Sequence, residues 1–185
     1  MGAEWRGVSD SPEETAALGE VLGRRIDAGT VVALVGELGT GKTTFVRGLA
    51  RGLGIPEGIS SPSYTLMAAH EGRLPLFHFD AWMEGREKAW FLDGGDHWLA
   101  SGEGVSAVEW AERVAEWLPE PRLEVELRHA PAQAGRDSGR REIRCRVVGE
   151  GGGERLGALL GELAGELAAL RGERQPPLER HPESF

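Results

Sequence analysis

Apolar residues along this chain recur with two different periods. Ala17, Leu18, Val21, Leu22 and Ile26 are spaced three and four apart as far as Gly29, which predicts one buried helix face. Ser9-Asp10-Ser11-Pro12-Glu13-Glu14 ahead of them supplies a capping side chain, a proline for the first turn and acids at the positive end of the helix dipole. Thr30 to Val35 follows as an apolar, β-branched-rich strand. Phe45, Val46, Leu49 and Leu53 then mark the inner face of a second helix, which Gly54 and Pro56 end.

Downstream, Gly58 to Met67 is a polar loop passing into a strand. Leu74-Pro75-Leu76-Phe77-His78-Phe79-Asp80 is a short apolar strand ending in a carboxylate, and Glu71-Gly72-Arg73 between the two predicts an antiparallel hairpin. Ala81 to Gly104 reads as helical or irregular cover, with Trp82, Trp90 and Trp98 as packing residues rather than base-stacking platforms. Gly104 to Trp110 is another strand ending in an acid, Glu109, followed by a short helix to Trp117 and the breaker Pro119. Leu123 to Leu127 and Ile143 to Val148 alternate at period two and pair across a loop. Leu156, Leu159, Leu160, Leu163, Leu167 and Leu170 form a last helix that packs on the domain, since fewer than three heptads are sustained for a coiled coil. Pro176, Pro177 and Pro182 mark a disordered end, so the chain divides into one domain, 1–172, and a tail, 173–185.

Composition narrows the function classes. A length of 185 residues suits one domain with a sizeable core, or one with an appendage. A net charge of −9 argues against a broad nucleic-acid-binding face. One local basic cluster, Arg128, Arg136, Arg140, Arg141, Arg144 and Arg146 on the last hairpin, reads as a solvated edge. A lone Cys145 excludes an internal disulfide and reads as a small buried residue. With no charged leader before an apolar core and no run of 18 apolar residues, the sequence predicts a soluble, cytoplasmic protein without a membrane segment.

The chemistry starts at Gly36-Glu37-Leu38-Gly39-Thr40-Gly41-Lys42-Thr43, which fits G-x-x-x-x-G-K-[ST] at every fixed position. Strand, glycine loop and helix come in the order a phosphate-binding loop needs, because successive backbone N–H groups must curl around an anion at a helix N-terminus. For a chain with 28 Gly, two Lys and fifteen Ser plus Thr, the pattern arises by chance roughly 0.004 times. Nineteen of the basic residues are Arg, yet Lys42 stands where a flexible point charge must reach the β and γ phosphates.

Such a loop needs a divalent metal held by its Ser/Thr and by a carboxylate at the end of a neighbouring apolar strand. Asp80 and Glu109 both qualify, and both are expected at the carboxyl edge of the sheet beside Thr43. One acid would complete a magnesium site while the other orients the attacking water or also touches metal. His78 alternates with Phe77 and Phe79 and reads as a packed strand residue rather than a ligand. The Ser60 to Thr65 loop has hydroxyls that could close on metal or nucleotide. No His/Cys spacing supports zinc.

Taken together, GELGTGKTTFVRGLARGLG, SSPSYTL, LPLFHFD and AVEWAER, in this order and at these separations, resemble the TsaE (YjeE) family, from about Ser11 to Gly149. The resemblance implies an α/β, P-loop NTPase-like three-layer fold with a mixed, mostly parallel sheet and a C-terminal antiparallel hairpin. It also implies slow ATP hydrolysis with Mg²⁺, in the service of threonylcarbamoyladenosine (t6A) formation on tRNA. Assembly would be with the TsaB and TsaD proteins, with tRNA met indirectly through the complex. By the same resemblance Gly39, Thr40, Gly41, Lys42, Thr43 and Thr44 bind the phosphates, Thr43 and Glu109 bind magnesium, and Asp80 is the functionally needed strand-end acid. Lys42, Asp80 and Glu109 are then the catalytic set, and Gly139-Arg140 sits where relatives place a Gly-Arg pair near the nucleotide. Departures exist: Glu37 and Thr40 replace Asp and Ala, HFDAWM replaces HFDLYRL and so lacks an Arg, and REKAWFLDGGDHWL matches the family's acidic stretch poorly.

A small-molecule kinase on the same fold is the competing expectation. It would require placed arginines and a lid, for which Ala81 to Gly104 offers Arg86 and Lys88. A GTPase switch is disfavoured, since base selection through N-K-x-D is impossible in a chain without Asn.

Overall fold

A computed structural model describes residues 3–56, 58–62, 65, 67–83, 85, 96–131, 139–149 and 153–171. Its strands are β1 (Glu4–Ser9), β2 (Val31–Val35), β3 (Met67–His70), β4 (Leu76–Asp80), β5 (Val105–Glu109), β6 (Arg122–His129) and β7 (Arg141–Val148). Its helices are α1 (Pro12–Arg25), α2 (Lys42–Gly52), α3 (Asp96–Ala100) and α4 (Gly153–Arg171). The anticipated tail, Trp90, Arg86, Lys88, Arg136, Ser63 and Tyr64 lie outside the described residues.

All seven strands form one sheet in the order β1-β7-β6-β2-β5-β4-β3. The central pairs β6–β2, β2–β5 and β5–β4 are parallel, and β3–β4, β6–β7 and β1–β7 are antiparallel. Strands β1, β2, β4, β5 and β6 run one way and β3 and β7 the other, so the mixed, mostly parallel sheet and both expected hairpins are present. Its parallel centre directs the carboxyl ends of β2, β4, β5 and β6 to one edge, where α/β sheets bind ligands.

Two layers cover the sheet. On one face, Leu18, Leu22, Phe45, Leu49, Leu53, Leu160 and Leu163 from the long helices bury against Leu34, Leu76, Ala107 and Val125. On the other, Val31, Ala33, Phe79 and Val108 pack with Leu99, Val114 and Leu118. Ser11 caps α1 as its position in the sequence predicts, its Oγ accepting from the Glu14 N–H at 3.2 Å. Contact between α1 and α2 is backbone to backbone. A Cβ added at Gly48 would lie 1.9 Å from Ala16 O, and one at Gly19 would lie 2.2 Å from Phe45 O.

Three local differences from the sequence pattern have physical reasons. Glu4–Ser9 is a strand that the pattern did not indicate: it pairs with β7, so the arginine-bearing hairpin is not an edge. Arg144 there donates to Glu4 at 2.6 Å and Arg146 pairs with Glu124 at 2.6 Å, which ties these two members of the basic cluster into cross-strand ion pairs. The short helix before Pro119 is instead two 3₁₀ turns, Ala111–Arg113 and Ala115–Trp117. Cys145 is buried as expected, and burial pushes its thiol up to about 12. Of the tryptophans in the cover segment, Trp98 packs on Phe77 with centroids 4.8 Å apart. Trp82 is 41% exposed and packs against Trp110 with the rings tilted by 51° and centroids 4.5 Å apart.

Candidate functional site

The glycine loop leaves β2 at Val35 and enters α2 at Lys42. Gly36 turns at φ 143°, where a Cβ would be 2.2 Å from Leu127 O, so β6 fixes the start of the loop. Gly41 ends it in the left-handed region at φ 103°, directly before the first turn of α2. Thr40 Oγ1 donates to Glu37 O at 2.8 Å, closing the loop on itself. The β6–β7 hairpin grips its outer side: Arg141 donates to Gly39 O at 3.2 Å, and His129 Nε2 lies 3.3 Å from Leu38 O. Arg140, the predicted neighbour of the nucleotide, pairs with Asp10 at 2.6 Å.

Lys42 is folded back onto its own loop. Its Nζ donates to Gly36 O at 2.6 Å and Glu37 O at 2.8 Å, and stands 3.6 Å from the centroid of the Trp110 ring. Burial lowers the pKa of this ammonium, while Glu109, Glu112 and Asp80 oppose the shift. Trp110 reaches it from a left-handed backbone, φ 58°, a conformation a bulky residue adopts only when its surroundings impose it. Burial also raises the pKa of the Glu112 carboxyl. A cavity of about 550 Å³ opens here, lined by Gly36, Glu37, Trp110, Glu112, Glu126 and His129.

The two strand-end acids stand directly opposite one another on β4 and β5, and each is 2% exposed. Glu109 Oε2 accepts from Thr43 Oγ1 at 2.8 Å, and Glu109 Oε1 lies 2.9 Å from His78 Nε2. Asp80 accepts the Ser61 hydroxyl and, through Oδ1, the Trp82 N–H at 2.8 Å. Thus Glu109 meets the glycine loop directly, and Asp80 meets the Ser60 to Thr65 loop. Arg113 donates to Trp82 O at 2.5 Å, beside both Trp82 and Trp110.

The pattern had singled out Lys42, Thr43, Asp80 and Glu109, but not the contacts of His78, Trp110, Glu112 or Arg113. A signal for His78 was present: it precedes Asp80 by two residues and so shares its face of the sheet. Chemically, the arrangement offers a loop before a helix N-terminus, one ammonium, a hydroxyl and two buried carboxylates. Among the described residues no cluster of three or more His, Cys, Asp or Glu forms a metal cage. A hydroxyl and a carboxylate nevertheless fit Mg²⁺, which takes oxygen ligands and is commonly held by one or two carboxylates plus substrate phosphates.

A family model described as "Threonylcarbamoyl adenosine biosynthesis protein TsaE" matches residues 9–141, a span that contains the loop, Asp80 and Glu109. A protein of Treponema pallidum named tRNA threonylcarbamoyladenosine biosynthesis protein TsaE is 47% identical over 123 residues, covering 66% of this chain and 90% of that one. A Bacillus subtilis protein of the same name is 40% identical over 129 residues, covering 69% and 78%. The crystal structure of Bacillus subtilis YdiB superposes with a TM-score of 0.70 at 33% identity, covering 90% of this chain and 97% of that chain. The match over residues 9–141 and these identities establish that the chain belongs to the TsaE family.

Proposed function

We propose that the chain is a Mg²⁺-dependent subunit that binds and slowly hydrolyses ATP, and that it is required for t6A modification of tRNA together with TsaB and TsaD. The observation that carries the reading is the Thr43–Glu109 hydrogen bond at the first turn of α2, with Lys42 poised on the adjoining loop. The relatives' names supply the pathway.

In this reading the backbone N–H groups of Gly39 to Thr44 cradle the phosphates. Lys42 exchanges two loop carbonyls and the Trp110 face for the β and γ phosphate oxygens. Thr43 and Glu109 would hold Mg²⁺, which would supply positive charge against the charge developing on those oxygens. Asp80, tied to the Ser60 to Thr65 loop through Ser61, orients the attacking water. Slow turnover suits a subunit whose ATP cycle serves a partner's chemistry.

The test is reconstitution from the purified chain, TsaB, TsaD, tRNA and the threonylcarbamoyl donor, with ATP present. Modification should stop when this chain is left out and return when it is restored. Modification that proceeds equally without it contradicts the proposal.

A further inference from the structure

We propose that His78 is a positioning residue for Glu109, holding one carboxylate oxygen so that the other stays aimed at the metal position beside Thr43; this rests on the Mg²⁺-nucleotide reading above. His78 stands in the middle of β4, fully buried. Along that strand Leu76 joins the core under the long helices, whereas Phe77 and Phe79 join the core on the opposite face. His78 therefore shares the helix-facing side with Asp80. In register it lies opposite Ala107, and Asp80 lies opposite Glu109. His78 and Glu109 are thus diagonal neighbours on one face.

The two oxygens of Glu109 are divided between two donors. Thr43 Oγ1 bonds Oε2 at 2.8 Å and His78 Nε2 bonds Oε1 at 2.9 Å. A carboxylate held at both oxygens cannot rotate about its terminal bond. If Thr43 turns its hydroxyl oxygen toward a metal, Oε1 remains held and Oε2 keeps its direction. The ring's other nitrogen, Nδ1, is buried and has no hydrogen-bond partner among the described residues. Placing the ring proton on Nδ1 would bury an unpaired N–H and set two lone pairs against each other at Oε1. The proton therefore belongs on Nε2.

Leaving a polar atom unpaired in a core is unfavourable, and an apolar residue would satisfy packing at this strand position without that cost. What the imidazole adds is the donor at Nε2. A group that holds a metal-ligating carboxylate in place governs metal affinity, and losing such a group typically weakens it by about 10–100-fold.

The experiment titrates a fluorescent ADP into the full-length chain over a range of Mg²⁺ concentrations, including excess chelator. His78→Gln keeps an N–H near the Nε2 position, whereas His78→Asn moves it to the Nδ1 position, out of reach of Glu109. His78→Asn should raise the Mg²⁺ midpoint for nucleotide binding by about 10–100-fold, with metal-free affinity unchanged within about threefold and His78→Gln within about threefold of the unmodified chain. Melting temperatures that fall in both variants while the Mg²⁺ midpoint stays fixed would assign His78 a packing role and overturn the proposal. Nitrogen-15 NMR of the unmodified chain reads the tautomer without any substitution: a proton on Nε2 supports the proposal and one on Nδ1 overturns it. If the unmodified chain binds nucleotide without regard to Mg²⁺, the underlying metal reading falls. If it is Mg²⁺-dependent and His78→Asn is unshifted, the role of His78 alone falls.

Discussion

Lys42 and the two acids Asp80 and Glu109 serve the site differently, so the ammonium and the acids predict different losses. Lys42 provides the ammonium of the loop, so Lys42→Ala should abolish productive phosphate binding. Asp80→Ala removes the acid assigned to the attacking water, and Glu109→Ala removes the acid that bonds Thr43 and would hold Mg²⁺, so both should slow hydrolysis. Phosphate release should fall by about 10²-fold or more in either, on the order of 3 kcal/mol of transition-state stabilisation. Turnover retained in all three variants would contradict the site. Lys42, Thr43, Asp80 and Glu109 were legible because a motif or a strand end marks each of them. The contact of His78 was not, because alternation assigns a residue to a face without naming its diagonal neighbour on the next strand. Nor does any local pattern announce that Trp110 turns left-handed and lays its ring under Lys42.

Among the elements, α1 and α2 were readable from their apolar spacing, but their closeness was not. Gly19 and Gly48 let the two helix backbones touch, and helix propensity alone would favour alanine at both. Gly48→Ala should therefore destabilise, because its Cβ would fall 1.9 Å from Ala16 O. The expected cost is about 2 kcal/mol, seen as a melting temperature lower by about 4–8 °C. An unchanged or higher melting temperature would mean that the helices separate freely.

The strand β1 escaped the sequence pattern because Glu-Trp-Arg-Gly-Val-Ser neither alternates cleanly nor carries turn signals at both ends. Ion pairing across the sheet helps to hold it. The Arg144 hydrogen bond to Glu4, aided by Arg6, holds the Glu4 carboxyl at about 2, against an ordinary value of 4.5. A depressed carboxyl contributes stability above its unfolded value and loses it as the pH falls through the folded one. Urea unfolding should therefore show a component lost between about pH 4.5 and 2, and Glu4→Gln should flatten the dependence in that window. Identical slopes in the two proteins would show that the pair contributes nothing to the fold.

At the scale of the molecule, sheet order explains why residues far apart in sequence meet. β2 lies between β5 and β6, and β4 lies beyond β5, so Glu109 and Asp80 emerge beside the loop that β2 feeds. Local patterns revealed β2 to β7 and the acids that end β4 and β5. The placement of β2 between β5 and β6 was not legible, since no local signal encodes strand order. No helix among the described residues is long and apolar enough to cross a membrane. A net charge of −9 argues against a broad nucleic-acid-binding face on this chain.

In the proposed function the Val35-to-Lys42 loop binds ATP together with Mg²⁺. Calorimetric titration of ATP into the purified chain, with Mg²⁺ and again with excess chelator, tests it most directly when repeated on Lys42→Ala. Saturable binding that strengthens with Mg²⁺ and vanishes in Lys42→Ala is the predicted result. No binding by the unmodified chain, or the same affinity in Lys42→Ala, would contradict it.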